Sequence, residues 1–271
     1  MSKIIKSLKK MKRLIIQGIS GKVTILPTDI DYPTIEYLNE NLKINQDEKR
    51  CIIGEEIKTT YQQNNITISG NNISIGRNLR NMNINIGNCG GKVIINGQDI
   101  SKVNNNKQDL LEEDIIIYLP NNMIKSIEIK NKVELIIKDI VPFNNTVEVD
   151  VTNCDCTFSN IKTLYLTNIG QNQFNISNVE SLIFEGTGNC NFTLENINVL
   201  DLCQTGNNNL RLKNEEEMKE CKVKLIGNNQ MLFDTPINVC RVNVTGNGNI
   251  SFTKKPNNIT VKQVGNYNIK Y

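Results

Sequence analysis

The stretch that decides the fold runs from Gly188 to Leu212 and reads "GNCNFTLENINVLDLCQTGNNNLRL". In it a glycine is followed, at the fourth and sixth positions, by two apolar residues, and this phrase occurs twice, 18 residues apart. The apolar pairs are Phe192 with Leu194 and Leu210 with Leu212. Alternation of this kind is typical of a β-strand, whose successive side chains point to opposite faces.

The same phrase continues on both sides of this stretch, and Thr152 stands in the place of glycine in the first unit. A second apolar pair precedes each glycine, and a third aliphatic residue follows each phrase after three or four residues. Each unit therefore offers two short strands and a corner. The glycines are Gly170, Gly188, Gly206, Gly227, Gly246 and Gly265, and the third aliphatic residues are Ile161, Val179, Ile197 and Ile237.

A fixed period of 18 to 23 residues made of short strands indicates a solenoid, because one such unit cannot bury its apolar residues alone. Stacked coils would place like residues in one interior column, with parallel strands about 4.8 Å apart. We therefore predict an all-β fold, a right-handed parallel β-helix (β-solenoid) with coils of about 18–23 residues, the hand following the usual crossover rule. The predicted column is Phe174, Phe192, Leu210, Met231 and Ile250.

Two other repeat or all-β folds fit the sequence less well. A leucine-rich repeat requires a Leu-rich consensus with a fixed Asn or Cys, and neither keeps register here. An antiparallel sandwich has no reason to repeat the same residue pattern strand after strand. At the corners of a solenoid, glycine supplies positive φ and Asn is the next best residue. Asn207, Asn228 and Asn266 are predicted to stack there as amide ladders.

The pattern divides the chain into four predicted ranges. Residues 1–13 form a basic N-terminal tail, and 14–100 form N-terminal coils with an excursion at 28–50. Residues 101–114 are a polar loop or linker, and 115–271 form the regular C-terminal coils. In the tail, four apolar residues share one helical face among lysines, which suits an anionic surface, with a solvated tail or a cap as the alternative. These residues are Ile4, Ile5, Leu8 and Met11.

Composition excludes several classes of function. The net charge is only +3, with 31 basic and 28 acidic residues, so there is no strong nucleic-acid signal. The eight cysteines form no C-x-x-C pair and there is no His, which argues against a metal site. No phosphate-binding loop or nucleophile elbow occurs. We predict no catalytic, cofactor-binding or metal-binding residue and no cofactor.

Several features of the sequence bear on the location and the partners of the chain. It has no export signal and no apolar run of 18 residues, which predicts an intracellular protein with no transmembrane segment. The richness in Asn, Ile and Lys is typical of AT-rich genomes and also fits a viral protein of a virion or host cytoplasm. A strand runs up to Tyr271, which predicts a homo-oligomer through the C-terminal coil. The polar spans 98–114 and 214–220 are either binding loops or solvated bulges.

The order of segments resembles that of a known family. The opening "QGISGKVTI" from Gln17, then "ITISGNNISIG" from Ile66 and "DIIIYLPNNMIKSIEI" from Asp114, precede serial glycine-centred coils. This order is similar to the auto-transporter adhesin head family, also called the GIN domain, with Gly-Asn in place of its "GSGD" turns. The resemblance implies a β-helical fold, an adhesive or envelope-associated role and no catalytic residues.

These observations predict a non-enzymatic β-solenoid that serves as a structural or interaction module for a protein or glycan partner, adhesin-head-like and part of a surface or a particle. The alternative is a β-helix that binds or cleaves glycans, because such enzymes use two carboxylates about 5 to 10 Å apart. Glu195, Lys213 and Asp234 are predicted to lie in one outward column. Their alternating charge is typical of surface pairing.

Overall fold

The structure is a computed structural model. It describes residues 3–55, 111–130, 133–140 and 146–271, together with the backbone of five short strands between 65 and 99. Contacts divide the chain into two units, the first of Met1–Glu55 with Leu111–Tyr271 and the second of Glu56–Leu110. All secondary structure in these described ranges is β. None of the described residues belongs to a helix with the length and apolar character that a membrane crossing requires.

The strands follow one another along the chain with short connections. The first unit begins with β1 (Ile4–Ser7), β2 (Arg13–Ile16), β3 (Ile19–Thr28), β4 (Thr34–Tyr37), β5 (Ile44–Gln46) and β6 (Arg50–Ile53). The second unit has β7 (Asn65–Ile68), β8 (Ile73–Ile75), β9 (Asn83–Ile86), β10 (Val93–Ile95) and β11 (Gln98–Asp99). The first unit resumes with β12 (Leu111–Glu112), β13 (Ile115–Pro120), β14 (Ser126–Lys130), β15 (Val133–Lys138), β16 (Thr146–Thr152), β17 (Asp155–Thr205), β18 (Asn208–Lys213), β19 (Met218–Asp234), β20 (Ile237–Phe252) and β21 (Asn258–Lys270).

The predicted β-solenoid is confirmed, with about seven turns of stacked parallel coils. The predicted interior column is also present. The rings of Phe174 and Phe192 stack with their centroids 5.3 Å apart. Phe192 then pairs with Leu210, Leu210 with Met231, and Met231 with Ile250. All five side chains are buried, so the alternation read from the sequence places the core correctly.

Asn side chains that bond to one another from one coil to the next are 18, 19 or 21 residues apart, as the sequence period requires. Positive φ occurs at all six predicted corner glycines. One prediction at these corners is wrong, because Asn153, with φ 54°, and not Thr152 replaces the glycine. Thr152 pairs instead with Ile169, the residue before Gly170. The corner of this coil is one residue shorter than the later corners. Counting four residues back from Cys156 therefore points to Thr152 and not to Asn153.

The N-terminal coils do not stack in chain order. Strand β3 lies between β13 and β15 and pairs in parallel with both. Strand β2 likewise lies between β6 and β14. The coil of β2 and β3 is therefore covered on one side by β6 and β13, and residues 56–110 are inserted between these two strands in the sequence. Identical alternation in every strand does not specify which coils become neighbours.

The excursion at 28–50 contributes antiparallel strands at the end of the first unit. Strand β4 pairs antiparallel with both β1 and β13, and β5 pairs antiparallel with β6. The tail segment is extended at β1 and does not form the amphipathic helix, because its backbone pairs with β4. Leu8 and Met11 are buried, whereas Ile5 is exposed.

The second unit has parallel strand pairs at a spacing similar to that of the first unit, 18 and 20 residues apart. Strand β7 pairs in parallel with β9, and β8 pairs in parallel with β10. Strand β11 pairs antiparallel with β10. The predicted loop at 101–114 lies mostly outside the described residues.

A second set of corners uses Asn at positive φ. Asn160, Asn178 and Asn196 have φ of 57°, 53° and 53°. The Asn178 amide donates to Asn160 Oδ1 at 3.0 Å, and the Asn196 amide donates to Asn178 Oδ1 at 3.1 Å. These bonds tie three successive coils together at one corner.

Two replacements of Asn178 distinguish the contribution of its backbone conformation to stability from that of the amide ladder. Asn178→Ala loses both amide bonds and must hold a conformation that costs an ordinary residue about 1–2 kcal/mol, so we expect a loss of about 2 kcal/mol in unfolding free energy. Asn178→Gly loses the bonds but adopts this φ freely, and should lose about 1 kcal/mol or less. Denaturant midpoints measure both variants. Equal losses would mean that the backbone conformation contributes little.

Candidate interaction surface

One corner of the first unit carries a row of exposed β-branched side chains. Each stands immediately before a corner glycine, and the register aligns them from coil to coil. Ile169, Ile226 and Val264 are among the few large apolar side chains that are exposed in the described residues. The intervening positions are threonines, which also present a methyl group. The methyl row comprises Ile169, Thr187, Thr205, Ile226, Thr245 and Val264.

A row of amides runs parallel to the methyl row, on the other side of the glycines. Asn189 Oδ1 accepts the backbone N–H of Asn207 at 3.0 Å. The side chains of Asn207, Asn228 and Asn247 then bond in sequence at 3.0 and 3.1 Å. Asn266 continues the register. The predicted stacking of Asn207, Asn228 and Asn266 is thus confirmed, with Asn247 between the last two.

The glycines between the two rows leave a lane without side chains. From Gly188 onward, a Cβ at each corner glycine would lie closer than 3.0 Å to the carbonyl of the glycine one coil before. No residue with a side chain therefore fits in the lane. We call the methyl row, the glycine lane and the amide row together the corner strip. It carries no charged residue, and its repeat is the coil spacing of about 4.8 Å.

The outward column predicted for a carboxylate pair is present. Glu195 pairs in register with Lys213, and Lys213 with Asp234. Asp234 accepts a bond from Thr253 Oγ1 at 3.0 Å. The lysine therefore stands between the two carboxylates, as in ordinary surface pairing. Across the described parts of the chain, no group of three or more Cys, Asp or Glu side chains could hold a metal ion.

The acidic insertion at 214–220 joins the neighbouring coil through its first residue. Asn214 accepts the backbone N–H of Ile197 at 3.0 Å and donates to the carbonyl of Ile197 at 2.7 Å. Glu215, Glu216 and Glu217 remain exposed beside an open pocket of about 350 Å³. The loop thus has a structural anchor. The carboxylates of Glu215 and Glu216 face solvent, and that of Glu217 accepts a hydrogen bond from Asn257 Nδ2 at 2.8 Å.

Sequence reasoning missed a column of polar side chains inside the coils. Asn172 Oδ1 accepts the backbone N–H of Cys154, and Asn208 Oδ1 accepts that of Cys190. Asn208 donates to Asn229 Oδ1 at 2.8 Å. Burial raises the pKa of the Cys190 thiol to about 11, although hydrogen bonds from neighbouring Asn side chains oppose the shift. These buried Asn residues could have been recognised in the sequence, because each stands two residues before an inward apolar residue and therefore points to the same face of the strand.

The polar column ends at Tyr267. Removing the hydroxyl of this residue is therefore predicted to lower the free energy of unfolding. The Tyr267 hydroxyl accepts from Asn229 Nδ2 at 2.8 Å and donates to the Gly227 carbonyl at 3.2 Å. Tyr267→Phe leaves the fully buried Asn229 amide without this partner, so unfolding free energy should fall by about 1–3 kcal/mol. Tyr271→Phe, at an exposed ring, should change it by less than about 0.5 kcal/mol. Denaturant unfolding of both variants is the measurement, and equal effects would contradict the role of the hydroxyl.

No family model and no curated protein matches this chain, so the resemblance to the GIN domain stays a prediction. The chain is similar to several solved structures at low sequence identity. One is described as "a putative adhesin" from Parabacteroides merdae, with 10% identity, a TM-score of 0.48, and coverage of 99% of this chain and 95% of that one. A "putative lipid binding protein" from Parabacteroides distasonis has 10% identity, a TM-score of 0.43 and coverage of 99% and 96%. A "putative cell adhesion protein" from Clostridium sporogenes has 13% identity, a TM-score of 0.21 and coverage of 99% and 98%.

Proposed function

We propose that this chain is a non-enzymatic interaction module of the adhesin-head type, which binds a neutral glycan chain along the corner strip. One observation supports this proposal above the others. Four large apolar side chains are exposed within residues 111–271 as described, and Ile169, Ile226 and Val264 are three of them. All three lie in the methyl row. An aligned apolar row that folding leaves uncovered is the kind of surface that interaction sites use.

The chemistry of the strip favours a neutral, linear partner. The amide row offers both donors and acceptors, which suits sugar hydroxyls. The methyl row offers apolar contact to the C–H groups of a sugar ring. Because the strip has no charged side chain, it provides no electrostatic attraction for a nucleic acid. Its regular repeat suits a polymer that lies along the stack of coils.

A polysaccharide panel tests this proposal directly. Immobilised neutral and charged polysaccharides are exposed to the protein, and both retained protein and released reducing ends are measured. We expect retention on a neutral polysaccharide without release of reducing ends. Ile226→Lys should weaken retention about tenfold or more, because it places a charge in the methyl row.

The matched control changes the same residue type elsewhere in the first unit. Ile30 is 49% exposed and Ile226 is 46% exposed, so Ile30→Lys introduces the same charge at similar exposure. The control should bind like the unchanged protein. If no neutral polysaccharide retains the protein, or if both variants bind equally, the proposed role of the strip is wrong.

Glycan cleavage is the competing function, and the placement of two carboxylates allows it to be tested. Glu195 and Asp234 lie two coil spacings apart in one column, roughly 9–10 Å, near the separation used by inverting glycosidases. Such an enzyme would release reducing ends, and Glu195→Ala or Asp234→Ala would abolish the release. In the proposed binding module, both variants retain the polysaccharide.

The adhesin-like role also makes a cellular prediction. Fractionation of the source cells or particles should place the protein on a surface or in an assembly. A freely soluble pool alone would contradict a surface or particle role, while leaving glycan binding to be judged by the panel.

A further inference from the structure

Strand β21 has an open edge in the described part of the chain. It pairs in parallel with β20 from Asn258 to Lys270. No described residue pairs with its other side. Among the described residues, the backbone N–H and C=O groups along that edge therefore have no strand partner, and unpaired sheet edges of this kind recruit other strands.

Two of the side chains that face inward from β21 are also incompletely covered. Ile259 and Val261 are only half-buried. Their register partners one coil earlier, Cys240 and Val242, are each 1% exposed. A further strand on the open edge would bury the apolar parts of Ile259 and Val261 in the same way.

The surroundings of this edge are basic. Residues 235–271 contain five basic residues and no acidic residue. Arg241 pairs with Glu220 of the preceding coil. The remaining four side chains are exposed, and Lys255 lies over the ring of Tyr271. The four are Lys254, Lys255, Lys262 and Lys270.

We propose that β21 binds an extended acidic segment of a partner protein by strand addition. Alternate residues of that segment would be apolar and would cover Ile259 and Val261. The residues between them would be acidic and would lie beside Lys262, as a cross-strand pair of opposite charge. In this mode main-chain hydrogen bonds supply affinity and alternate side chains supply specificity. The site is separate from the corner strip and does not depend on glycan binding.

The same observations favour this occupant over two others. A second copy of the chain would bring Lys262 and Lys270 against equally basic strands, and edge lysines are a common protection against such self-pairing. The homo-oligomer through this coil stays a prediction and is the competing occupant. A nucleic acid would satisfy the positive charge but has no backbone that could continue a β-sheet.

The test uses the full chain and defined peptides. A fluorescein-labelled heptapeptide of alternating glutamate and valine is titrated with the protein, and fluorescence anisotropy gives the dissociation constant. We expect saturable binding that weakens with salt. The variant Lys262→Glu with Lys270→Glu should weaken binding about tenfold or more. A control variant with the same charge change at exposed positions elsewhere, Lys162→Glu with Lys219→Glu, should bind normally.

Two further probes distinguish strand addition from plain charge attraction. The same heptapeptide with every backbone amide methylated should lose binding, because successive N–H groups of a strand point to opposite edges and neither edge could then donate to β21. A single-stranded oligonucleotide of equal charge should bind more weakly than the unmodified peptide. Equal binding of the methylated peptide or of the oligonucleotide would overturn the proposal. So would an absence of peptide binding, or light scattering that shows a dimer which Lys262→Glu with Lys270→Glu disrupts.

Discussion

Gly206→Ala is expected to destabilise the solenoid by about 3–5 kcal/mol, the sum of backbone strain and a forced displacement of the neighbouring coil. Gly206 has φ 140°, which side chains rarely adopt. A Cβ there would also lie closer than 3.0 Å to the backbone carbonyl of Gly188 in the preceding coil. The coil cannot move away from this contact without breaking its parallel hydrogen bonds.

The matched control for this change is the preceding residue. Thr205 is exposed in the methyl row, and Thr205→Ala should change unfolding free energy by less than about 0.5 kcal/mol. Thermal unfolding followed by far-ultraviolet circular dichroism compares the two variants. If Gly206→Ala unfolds within about 1 kcal/mol of the unchanged protein, the glycine lane is not a steric requirement.

Phe184→Ala is expected to cost about 3–5 kcal/mol by leaving a cavity in the interior. The Phe184 ring is fully buried and meets Phe174 and Phe192 edge to face, with ring centroids 5.2 and 4.8 Å away. Truncation removes both aromatic contacts, each worth about 0.5–1.5 kcal/mol beyond the area that it buries. Phe192 and Phe174 stack on each other and cannot both move into the space.

A more conservative change at the same position serves as the control. Phe184→Leu keeps most of the volume and should cost less than about 1.5 kcal/mol. Denaturant midpoints of the two variants should therefore differ clearly. Equal losses would show that the neighbouring coils collapse into the cavity, so that the three rings are not packed against a rigid frame.

The interior of the regular coils could be predicted from the sequence because each inward position repeats with the coil. Phe174, Phe192 and Leu210 are the clearest case, since copies of one phrase must lie in one column. The stacking of β3 between β13 and β15 could not be predicted, because alternation gives every strand the same two faces. Neighbour choice in that region depends on packing and connections, which a period does not encode.

The candidate sites were partly visible in the sequence. The methyl row follows from the residue before each corner glycine, as Ile226 shows, but its exposure required the structure. The ladder of Asn160, Asn178 and Asn196 could not be predicted from glycine positions, because this second corner has Asn in place of glycine at positive φ. Its signal is an Asn directly before three of the four third aliphatic residues, since Pro236 precedes Ile237. The sequence predicts a strand at the C-terminal coil. That the basic residues of this region lie beside the open edge of β21 required the structure.

The insertion of residues 56–110 within one coil has a consequence for how the chain acquires its structure during synthesis. Strands β16 to β21 pair with strands that lie one coil away in sequence, so each can dock as soon as it leaves the ribosome. Strand β3 has no such near partner, because it pairs with β13 and β15. The backbone N–H of Lys22 in β3 also donates to Asp114 Oδ1, 92 residues away. Closing so long a loop delays native contacts. Strand β3 would thus wait, with both of its edges unpaired, in the interval when a chaperone is most needed.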